Sequence, residues 1–352
     1  MASPSDPQPL LASIIVPVFN GAQTLDACLK ALSAQTVEKD RHEVIVVDDG
    51  SADSSAEIAT RHGVVVIRQD RQGAAAARNR GAQQARGPIL LFTDADCEPL
   101  PTWVEGMLAP FADPDVAGVR GFYRTRQRSV VARFAQAEYE EKYDRLRRAD
   151  KVDFVDTYAA AYRRDLFLAC GGFNPKFLLD EDQELSYRLA RMGRKLVSAP
   201  AAVVYHRHPT RVWWYARRKL QLGRWKVRVH VQHPSKVLHD SYTPWTQKAQ
   251  IVLLPLALGA VVGAAIGLVP WTVALILAMA GLISGIPLMI KAVRQGWDVA
   301  MVAPILILIR ALALGVGIAW GIGNQITGVT GLLLAVSGAA LPVWRGPPNR
   351  KK

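Results

Sequence analysis

The stretch Glu43-Val-Ile-Val-Val-Asp-Asp-Gly-Ser51 decides the fold of the N-terminal part of this chain. Four β-branched residues run directly into two carboxylates and a glycine, which is typical of a buried parallel strand that ends in polar side chains. Comparable runs lie at Ser13–Phe19, Val64–Ile67 and Ile89–Phe92. Helical patterns separate these runs at Leu25–Leu32, Ala52–Arg61 and Ala74–Ala85. The alternation predicts an α/β domain with a doubly wound sheet, in which ligands bind outside the carboxyl ends of the strands.

The basic charge of the chain is concentrated in its second half. Of the 352 residues, 43 are Lys or Arg and 30 are Asp or Glu, which gives a net charge of +13. Residues 1–200 carry a net −2, residues 201–247 carry +8 and residues 248–352 carry +7. The charges of the last segment interrupt long apolar runs. They therefore indicate a membrane surface and a phosphate-bearing substrate as partners, and no nucleic acid.

Long uncharged segments in the last third predict membrane helices. Residues 249–290 contain no charged side chain, enough for two crossings of about 20 residues each. We expect spans near 249–269, 272–290, 299–320 and 322–341. Arg310 interrupts the third segment, which leaves open whether that segment crosses the bilayer or forms a tilted, re-entrant or interfacial helix. Arg310 itself is expected either to contact a lipid phosphate or to reach the interface with its long side chain.

These patterns divide the chain into five segments. We expect a flexible N-terminus at 1–11, the α/β domain at 12–205, a basic and aromatic interfacial helical segment at 206–247, a transmembrane region of three or four helices at 248–344, and a basic cytoplasmic tail at 345–352. The first residues lack the basic and apolar regions of a signal peptide. Lys291, Arg294 and the basic tail fall on one side of the predicted spans. The sequence therefore predicts a multi-pass protein of the cell membrane with a cytoplasmic α/β domain.

Two pairs of aspartates follow predicted strands. Asp48 and Asp49 can accept hydrogen bonds from a base or ribose, or they can cap the helix that follows. Asp94 and Asp96 are separated by one residue, so in an extended chain both side chains point the same way and can address one hard divalent cation. Two solvated loop aspartates would look the same in sequence. The position of this pair at a strand end favours the metal site.

Two helical segments carry further candidate groups. Glu181 and Asp182 open an amphipathic helix, where the helix dipole favours acidic residues and where one carboxylate can also act as a general base toward a hydroxyl. Gln221, Arg224 and Trp225 lie in the basic segment, where arginine can bind phosphate and tryptophan can stack on a sugar ring. Anchoring to anionic lipid explains that segment equally well.

The histidines and cysteines give no metal motif. Five of the seven histidines lie close together in sequence, at His206, His208, His230, His233 and His239. Their spacings match no usual ligand set, so we expect them to form an interfacial polar face. Cys97 adjoins the second aspartate pair, and we expect a small buried side chain there rather than a reactive thiol.

Six ordered motifs give the chain a family resemblance. They are Ser13-Ile-Ile-Val-Pro-Val-Phe-Asn20, Glu43-Val-Ile-Val-Val-Asp-Asp-Gly-Ser51, Gly73-Ala-Ala-Ala-Ala-Arg-Asn-Arg-Gly81, Asp94-Ala-Asp96, Gly171-Gly-Phe173 and Glu181-Asp-Gln-Glu-Leu-Ser-Tyr-Arg188. With this set the chain resembles the family 2 glycosyltransferases of GT-A fold over about residues 12–230. The segments 152–157 and 201–209 and the membrane region look like the branch of succinoglycan-type exopolysaccharide glycosyltransferases. The resemblance implies a Rossmann-like domain that binds a nucleotide sugar.

On the donor side the resemblance implies roles for single residues. Pro17 and Asn20 would lie beside the nucleotide, and Asp49, with Asp48, would contact the base or ribose. Arg78 would lie in the segment that approaches the donor. Asp94 would contact the donor sugar or ribose. Asp96, together with Asp94, would hold Mg²⁺ or Mn²⁺ against the diphosphate.

The resemblance also implies the groups that act on the acceptor. Asp182 matches the catalytic base of these inverting enzymes, with Glu181 beside it. Gln221, Arg224 and Trp225 match the Q-x-x-R-W motif of processive synthases such as cellulose synthase. In that motif Arg224 would stabilise the leaving diphosphate, while Gln221 and Trp225 would bind the acceptor.

Residues and resemblance together predict an inverting, metal-dependent glycosyltransferase. It would move one sugar from a nucleoside diphosphate donor to a polyprenyl-linked or other lipid-linked acceptor in polysaccharide or glycolipid biosynthesis. A processive polysaccharide synthase, a polyprenyl-phosphate sugar synthase and a catalytically inactive membrane scaffold stay as alternatives. Membrane lipids are expected partners, and the sequence leaves the oligomeric state open.

Overall fold

The computed structural model describes residues 8–237 and 240–326 of the chain. The strands are β1 (Ala12–Val18), β2 (His42–Asp48), β3 (Val65–Arg68), β4 (Ile89–Phe92), β5 (Cys97–Pro99), β6 (Val116–Arg124), β7 (Ala160–Arg163) and β8 (Lys195–His206). The α-helices are α1 (Leu25–Ser33), α2 (Ser55–Arg61), α3 (Ala74–Gln84), α4 (Trp103–Leu108), α5 (Val130–Leu146), α6 (Arg164–Ala169), α7 (Glu181–Arg191), α8 (Val212–Gln232), α9 (Trp245–Ala265), α10 (Trp271–Gln295) and α11 (Trp297–Ile326).

The chain divides into two compact units. The first contains the residues up to Arg126 together with Tyr143–Arg207, and the second contains Gln127–Lys142 and the residues from His208 onward. The sequence assigned all of 127–142 to the α/β domain, and the structure corrects this. The first part of α5 belongs to the second unit because Val131 and Phe134 are buried in an apolar core built from α10 and α11.

One mixed sheet forms the first unit, in the strand order β3-β2-β1-β4-β7-β6-β8-β5. Strands β1 to β4 are parallel, β7 runs antiparallel to β4 and β6, and β5 runs antiparallel to β8. The predicted α/β class is confirmed. The strand order reverses between β1 and β4, which is where an open sheet of this kind leaves a crevice at its carboxyl edge.

Apolar packing on both faces explains why these segments form strands. Every residue of β1 and β4 is buried, as expected for central parallel strands with β-branched and leucine side chains. Phe92 at the end of β4 packs against the rings of Phe167 and Phe173, with ring centroids 5.3 Å apart in both pairs. This aromatic cluster fixes the end of β4, and the Asp94 turn follows directly.

Three helices of the second unit, among the residues described, are long and apolar enough to cross a membrane: α9, α10 and α11. The first two correspond to the predicted spans at 249–269 and 272–290. The predicted break after residue 320 is wrong, because α11 continues through Gly321 to Ile326. The predicted fourth span at 322–341 begins inside α11, and its remainder, like the tail at 345–352, lies outside the described residues.

Arg310 on α11 is buried inside the second unit and reaches neither lipid nor solvent. It is 1% exposed, and its Nη1 lies 3.1 Å from an Oε1 of Glu138 on α5. Glu138 also accepts hydrogen bonds from Tyr215 and Lys219 of α8, at 2.6 and 2.5 Å. Burial raises the pKa of Glu138, but the charges of Lys219 and Arg310 hold it at about 2, so the carboxylate stays ionised. Both sequence-based expectations for Arg310 are therefore wrong.

Candidate active site

The loops after β1 and β2 meet at the carboxyl edge of the sheet. Asn20 has a positive φ of 51°, and its backbone N–H donates to the Ser51 hydroxyl at 2.9 Å. Its side-chain oxygen accepts from the Ala52 N–H at 2.8 Å. Asp48 accepts from the Ser51 N–H at 2.9 Å and is buried. The two strand ends are thus tied into one rigid polar rim, and Pro17 lies just before it, buried within β1.

Asp49 organises the segment that leads into α3. Its carboxylate accepts from the Gln69 side chain and from the backbone N–H groups of Gln72 and Gly73, each at 2.8 Å. Arg71 in the same segment lies over the Phe19 ring, 4.0 Å from its centroid. The observed partners of Asp49 are therefore protein groups, and its contact with a base or ribose stays a prediction.

Arg78 on α3 connects two acidic segments of the site. Its guanidinium donates to Asp94 Oδ1 and to Glu181 Oε1, both at 2.6 Å, and the side chain is 4% exposed. Burial lowers the pKa of Arg78, but the two carboxylates raise it above its usual value, so the group stays charged. Helix α3, which carries Arg78, packs closely on β1 at Gly81. A Cβ at Gly81 would stand 2.6 Å from the Ile15 side chain of β1, so a larger residue would push the helix away.

The second aspartate of the predicted metal pair lies next to a histidine. Asp96 Oδ2 is 3.7 Å from His206 Nε2, and Cys97 is the residue paired with His206 across β5 and β8. One ligand atom from each of Asp96, Cys97 and His206 lies within 4.8 Å of the others. Asp94 is not part of this cluster, and one of its oxygens is held by Arg78.

The chemistry of this cluster fits a divalent cation. Carboxylate oxygen and imidazole nitrogen suit Mn²⁺, and carboxylate oxygen suits Mg²⁺. Burial and the nearby aspartates raise the pKa of the Cys97 thiol well above its usual value. Sulfur is a soft ligand, and Mg²⁺ and Mn²⁺ prefer harder donors. Cys97 is fully buried, as expected from the sequence. Asp96 and His206 are the residues of the cluster that would hold a metal.

A short turn connects this cluster with the start of α7. The one-turn helix Thr157–Ala159 carries Tyr158, whose ring lies 4.3 Å from the His206 ring between centroids. The Tyr158 carbonyl accepts from the Thr93 hydroxyl at 3.0 Å, and the Thr157 N–H donates to Asp182 Oδ2 at 3.2 Å. The turn therefore positions Asp182 and the His206 ring from one rigid piece of backbone.

Two acidic side chains at the start of α7 have perturbed pKa values. Burial raises the pKa of Glu181 although Arg78 opposes this. Burial, with the charges of Glu181 and Asp180, raises the pKa of Asp182 well above its usual range. Asp182 nevertheless keeps part of its surface exposed, whereas Glu181 is buried. An accessible carboxylate with a raised pKa is suited to take a proton from a hydroxyl near neutral pH.

The residues of the Q-x-x-R-W pattern lie on α8, in the second unit. Gln221, Arg224 and Trp225 are half-buried. The Arg224 guanidinium lies over the Trp320 ring of α11, 4.4 Å from its centroid. Their roles toward donor and acceptor stay predictions.

His206 is the site residue that sequence reasoning missed. We expected it on an interfacial face with the other histidines, but it ends β8 inside the first unit. His208 is likewise buried, bonded to Gln136 at 3.1 Å and stacked on Tyr139. The sequence did contain a pattern that could have placed His206 in the site. The apolar run Ala202-Val-Val-Tyr205 directly precedes it, just as apolar runs precede the polar residues Asp48 and Asp94 at the ends of other strands. His239 lies outside the described residues.

Comparison with known proteins finds a family match and several similar proteins. The family described as Glycosyl transferase family 2 matches residues 13–170. Glycosyltransferase AglE of Haloferax volcanii is 42% identical over 99 residues, 26% of this chain and 33% of the relative. The pre-mycofactocin glycosyltransferase of Mycobacterium tuberculosis is 29% identical over 243 residues, 66% of this chain and 50% of the relative. The chain thus spans half or less of the length of these curated relatives.

A solved structure shares the fold over most of the chain. It is the mannosyltransferase PcManGT from Pyrobaculum calidifontis, in complex with GDP-Man and Mn²⁺. The TM-score is 0.62 at 21% identity, with 89% of this chain and 88% of that chain covered. This likeness concerns the fold of the two proteins.

Proposed function

The N-terminal part of the chain is a family 2 glycosyltransferase domain, and on that premise we propose that the protein transfers a sugar from a nucleoside diphosphate donor to a lipid-linked acceptor at a membrane. The observation that carries the proposal is the Arg78 bridge. It joins Asp94, in the turn after β4, to Glu181, beside the accessible carboxylate of Asp182. The turn that carries Asp96 and the helix start that carries Asp182 therefore belong to one hydrogen-bonded framework at the carboxyl edge of the sheet.

The loops after β1 and β2 are the proposed nucleotide site. Asn20, Asp48 and Asp49 form its rim, and the hydrogen bonds within the rim fix its shape before a ligand arrives. Polar groups that are already held in place lose little conformational entropy when a ligand binds to them. This favours tight binding of a rigid ligand such as a nucleoside. The mannosyltransferase of similar fold binds GDP-Man, which supports a nucleoside diphosphate sugar as the donor class.

Asp96 and His206 are the proposed metal ligands, with Asp94 beside them. A bound Mn²⁺ or Mg²⁺ would supply positive charge for the diphosphate. The complex of the similar mannosyltransferase contains Mn²⁺, which supports that metal. Arg78 fixes one oxygen of Asp94, so the orientation of the whole turn is set by protein contacts.

Asp182 is the proposed general base for a single displacement. The acceptor oxygen forms a bond to the anomeric carbon, and its proton passes to the Asp182 carboxylate. The bond between the anomeric carbon and the diphosphate oxygen breaks, and its electron pair leaves with the nucleoside diphosphate. Because one displacement occurs, the anomeric configuration inverts. Asp182 Oδ2 accepts from the Thr157 N–H at 3.2 Å and Oδ1 accepts from the Gln183 N–H at 2.8 Å, so both oxygens are held in place, and each keeps a second lone pair that can take the proton.

The composition of the second unit supports a membrane-bound acceptor. Helices α9 and α10 are apolar and exposed along much of their length, and α8 has six Lys or Arg residues and no acidic residue. Such a unit suits an acceptor that combines a hydrocarbon chain with phosphate groups, such as a polyprenyl diphosphate sugar. The exposed apolar helices also support the cell membrane as the location of the protein. We propose that the first unit lies on the cytoplasmic side.

The activity is tested with the full chain, purified and returned to lipid vesicles. It is incubated with GDP- and UDP-linked sugars, Mn²⁺ and polyprenyl-linked acceptors, and the products are analysed by mass spectrometry. The proposal predicts release of nucleoside diphosphate and a lipid product heavier by one sugar. A ladder of products would indicate the processive synthase that the Q-x-x-R-W pattern suggests. No product and no donor hydrolysis with any sugar would contradict the proposal and favour the inactive scaffold.

A further inference from the structure

The apolar helix α11 packs tightly against α8, the most basic of the described helices. A Cβ at Gly223 of α8 would stand 2.5 Å from the Leu314 carbonyl oxygen of α11. A Cβ at Gly321 of α11 would stand 2.7 Å from the Arg224 carbonyl oxygen of α8. The two backbones are therefore in contact from about Leu314 to Gly321. Helix α8 must therefore lie at the same depth in the bilayer as this part of α11.

Helix α8 cannot lie in hydrocarbon. It carries six basic residues, at Arg217, Arg218, Lys219, Arg224, Lys226 and Arg228. Lys219 is buried and paired with Glu138, and the other five side chains are partly exposed. Each charged side chain at the centre of a bilayer is strongly unfavourable, whereas the headgroup layer offers water and phosphate to the same groups. The length and hydropathy of α11 are those of a membrane-spanning helix. Its contact with the charged helix α8 excludes a transmembrane position.

The first half of α11 is bound by a second charged helix. Arg133 of α5 donates to the Gln295 carbonyl at 2.8 Å and pairs with Asp298, at the start of α11. Five residues further along α5, Glu138 pairs with Arg310. Charged residues of α5 thus contact α11 at Asp298 and at Arg310, and the basic helix α8 contacts it from Leu314 to Gly321. No described stretch of α11 as long as a membrane span is free of them.

The opposite face of α11 is apolar and exposed. Met301, Ile305, Val316 and Trp320 are 76%, 63%, 56% and 46% exposed. With Ala319, these residues repeat at the spacing of one helical face. A basic flank beside a continuous apolar face is the pattern of a helix that lies in the plane of a membrane interface. Helices α9 and α10 contact α11 and continue the exposed apolar surface.

We propose that α11 lies along the membrane surface with α8 and does not cross the bilayer. Its apolar face enters an anionic leaflet, the basic side chains of α8 meet the lipid phosphates, and α9 and α10 are the described helices that penetrate deeper. Arg224, stacked over Trp320, then lies at the depth of phosphate groups. The inference rests on the membrane location given under the proposed function and needs no transfer activity.

Depth measurements by spin labelling test the proposal. Single cysteines replace Met301, Ile305, Val316 and Ala319 in the full chain, and each is labelled with a nitroxide in vesicles of phosphatidylcholine and phosphatidylglycerol. Collision with oxygen and with a water-soluble nickel complex reports the depth of each site. The proposal predicts one shallow depth for all four sites. A spanning helix would change depth by about 27 Å over these 18 residues, and that profile would overturn the proposal.

Matched controls separate the other outcomes. Met279 of α10 is 48% exposed and lies far from the charged helices in sequence, so a label there should be deeper than any α11 site. If the label at Met279 also reports water, the chain is not inserted and the membrane location itself fails, whatever the transferase assay shows. Poor collision with both reagents at the α11 sites would indicate a second copy covering this face, and would overturn the lipid assignment. The wild type, with Cys28, Cys97 and Cys170, gives the background label.

A second measurement does not depend on depth. Trp297 is 75% exposed at the start of α11, and Gln325 is exposed near its end. Cysteines at these two positions are treated with a membrane-impermeant maleimide in sealed vesicles of one orientation. The proposal predicts that both react from the same side. Reaction from opposite sides would overturn it.

Discussion

Replacement of Arg78 by methionine tests the central framework of the site. Methionine replaces the aliphatic stem of arginine but has no guanidinium, so Asp94 and Glu181 lose their shared partner. Glu181 is buried and would keep an unpaired carboxylate, while Asp94 is 22% exposed and can be hydrated. Arg80, an exposed arginine on the same helix, provides the matched control variant Arg80→Met.

The expected loss of stability follows from the two contacts. A hydrogen bond to a charged group contributes about 1.5–3 kcal/mol, and removing one partner of a buried ion pair costs about 3–5 kcal/mol. Because the two bonds share one guanidinium, we expect a loss of about 3–5 kcal/mol for Arg78→Met. For a unit of this size that corresponds to a fall in Tm of about 6–20 °C. Arg80→Met should change the free energy of unfolding by about 0.5 kcal/mol or less.

Thermal unfolding of the purified full chain, followed by tryptophan fluorescence, measures these differences. The double variant Arg78→Met/Glu181→Gln removes the orphaned buried charge, so it should recover about 1–3 kcal/mol relative to Arg78→Met. An Arg78→Met protein as stable as Arg80→Met would refute the argument that the bridge is a strong buried contact. A double variant less stable than Arg78→Met would refute the argument that Glu181 is the uncompensated charge.

Three further predictions concern the metal, the base and the helix crossing. Asp96→Ala and His206→Ala should each weaken Mn²⁺ binding at least about tenfold in calorimetry, and unchanged binding in His206→Ala would remove that residue from the site. Because the pKa of Asp182 is raised and the base must be ionised, kcat should fall on acidification well above pH 3.8, the usual pKa of an aspartate; a kcat constant down to that pH would contradict the assignment. Gly223→Ala should destabilise the second unit by about 1–3 kcal/mol, since the Leu314 carbonyl cannot move aside. The control Gly259→Ala, where a Cβ would have no neighbour within 4 Å, should not destabilise it. Equal thermal shifts of the two variants would disprove the close crossing of α8 and α11.

Local patterns were sufficient to predict most of the first unit. The four parallel strands were predicted because a short run of β-branched residues is typical of a strand that is buried on both faces. The strand Ile89–Phe92 has the predicted bounds in the structure. Helix α3 begins at the predicted residue and ends one residue earlier than predicted, at Gln84, and α7 begins at Glu181 as predicted. Strands β5 to β8, which pair in both the parallel and the antiparallel direction, were not predicted, since their partners are far apart in sequence.

The contacts that build the site were beyond sequence reasoning. Arg78 was predicted only to lie near the donor, and nothing in its motif shows that it pairs with Glu181, 103 residues away. His206 was assigned to the interface because its neighbours in sequence are basic and aromatic, whereas the pairing of β8 with β5 brings it to Asp96. Arg310 looked like a lipid contact because its partner Glu138 lies 172 residues away on α5. Each error came from a long-range pair of charges.

The central claim is that this chain is a glycosyltransferase with Asp182 as its base, and one comparison tests it most directly. Turnover to a lipid-linked product is measured for Asp182→Asn and for Asp150→Asn, an exposed control, alongside calorimetric binding of the nucleoside diphosphate. General bases contribute about 100- to 10,000-fold to rate, so Asp182→Asn should lose at least about 100-fold in kcat while nucleotide binding stays unchanged. Asp150→Asn should turn over like the wild type. An Asp182→Asn protein with near-normal turnover would contradict the account.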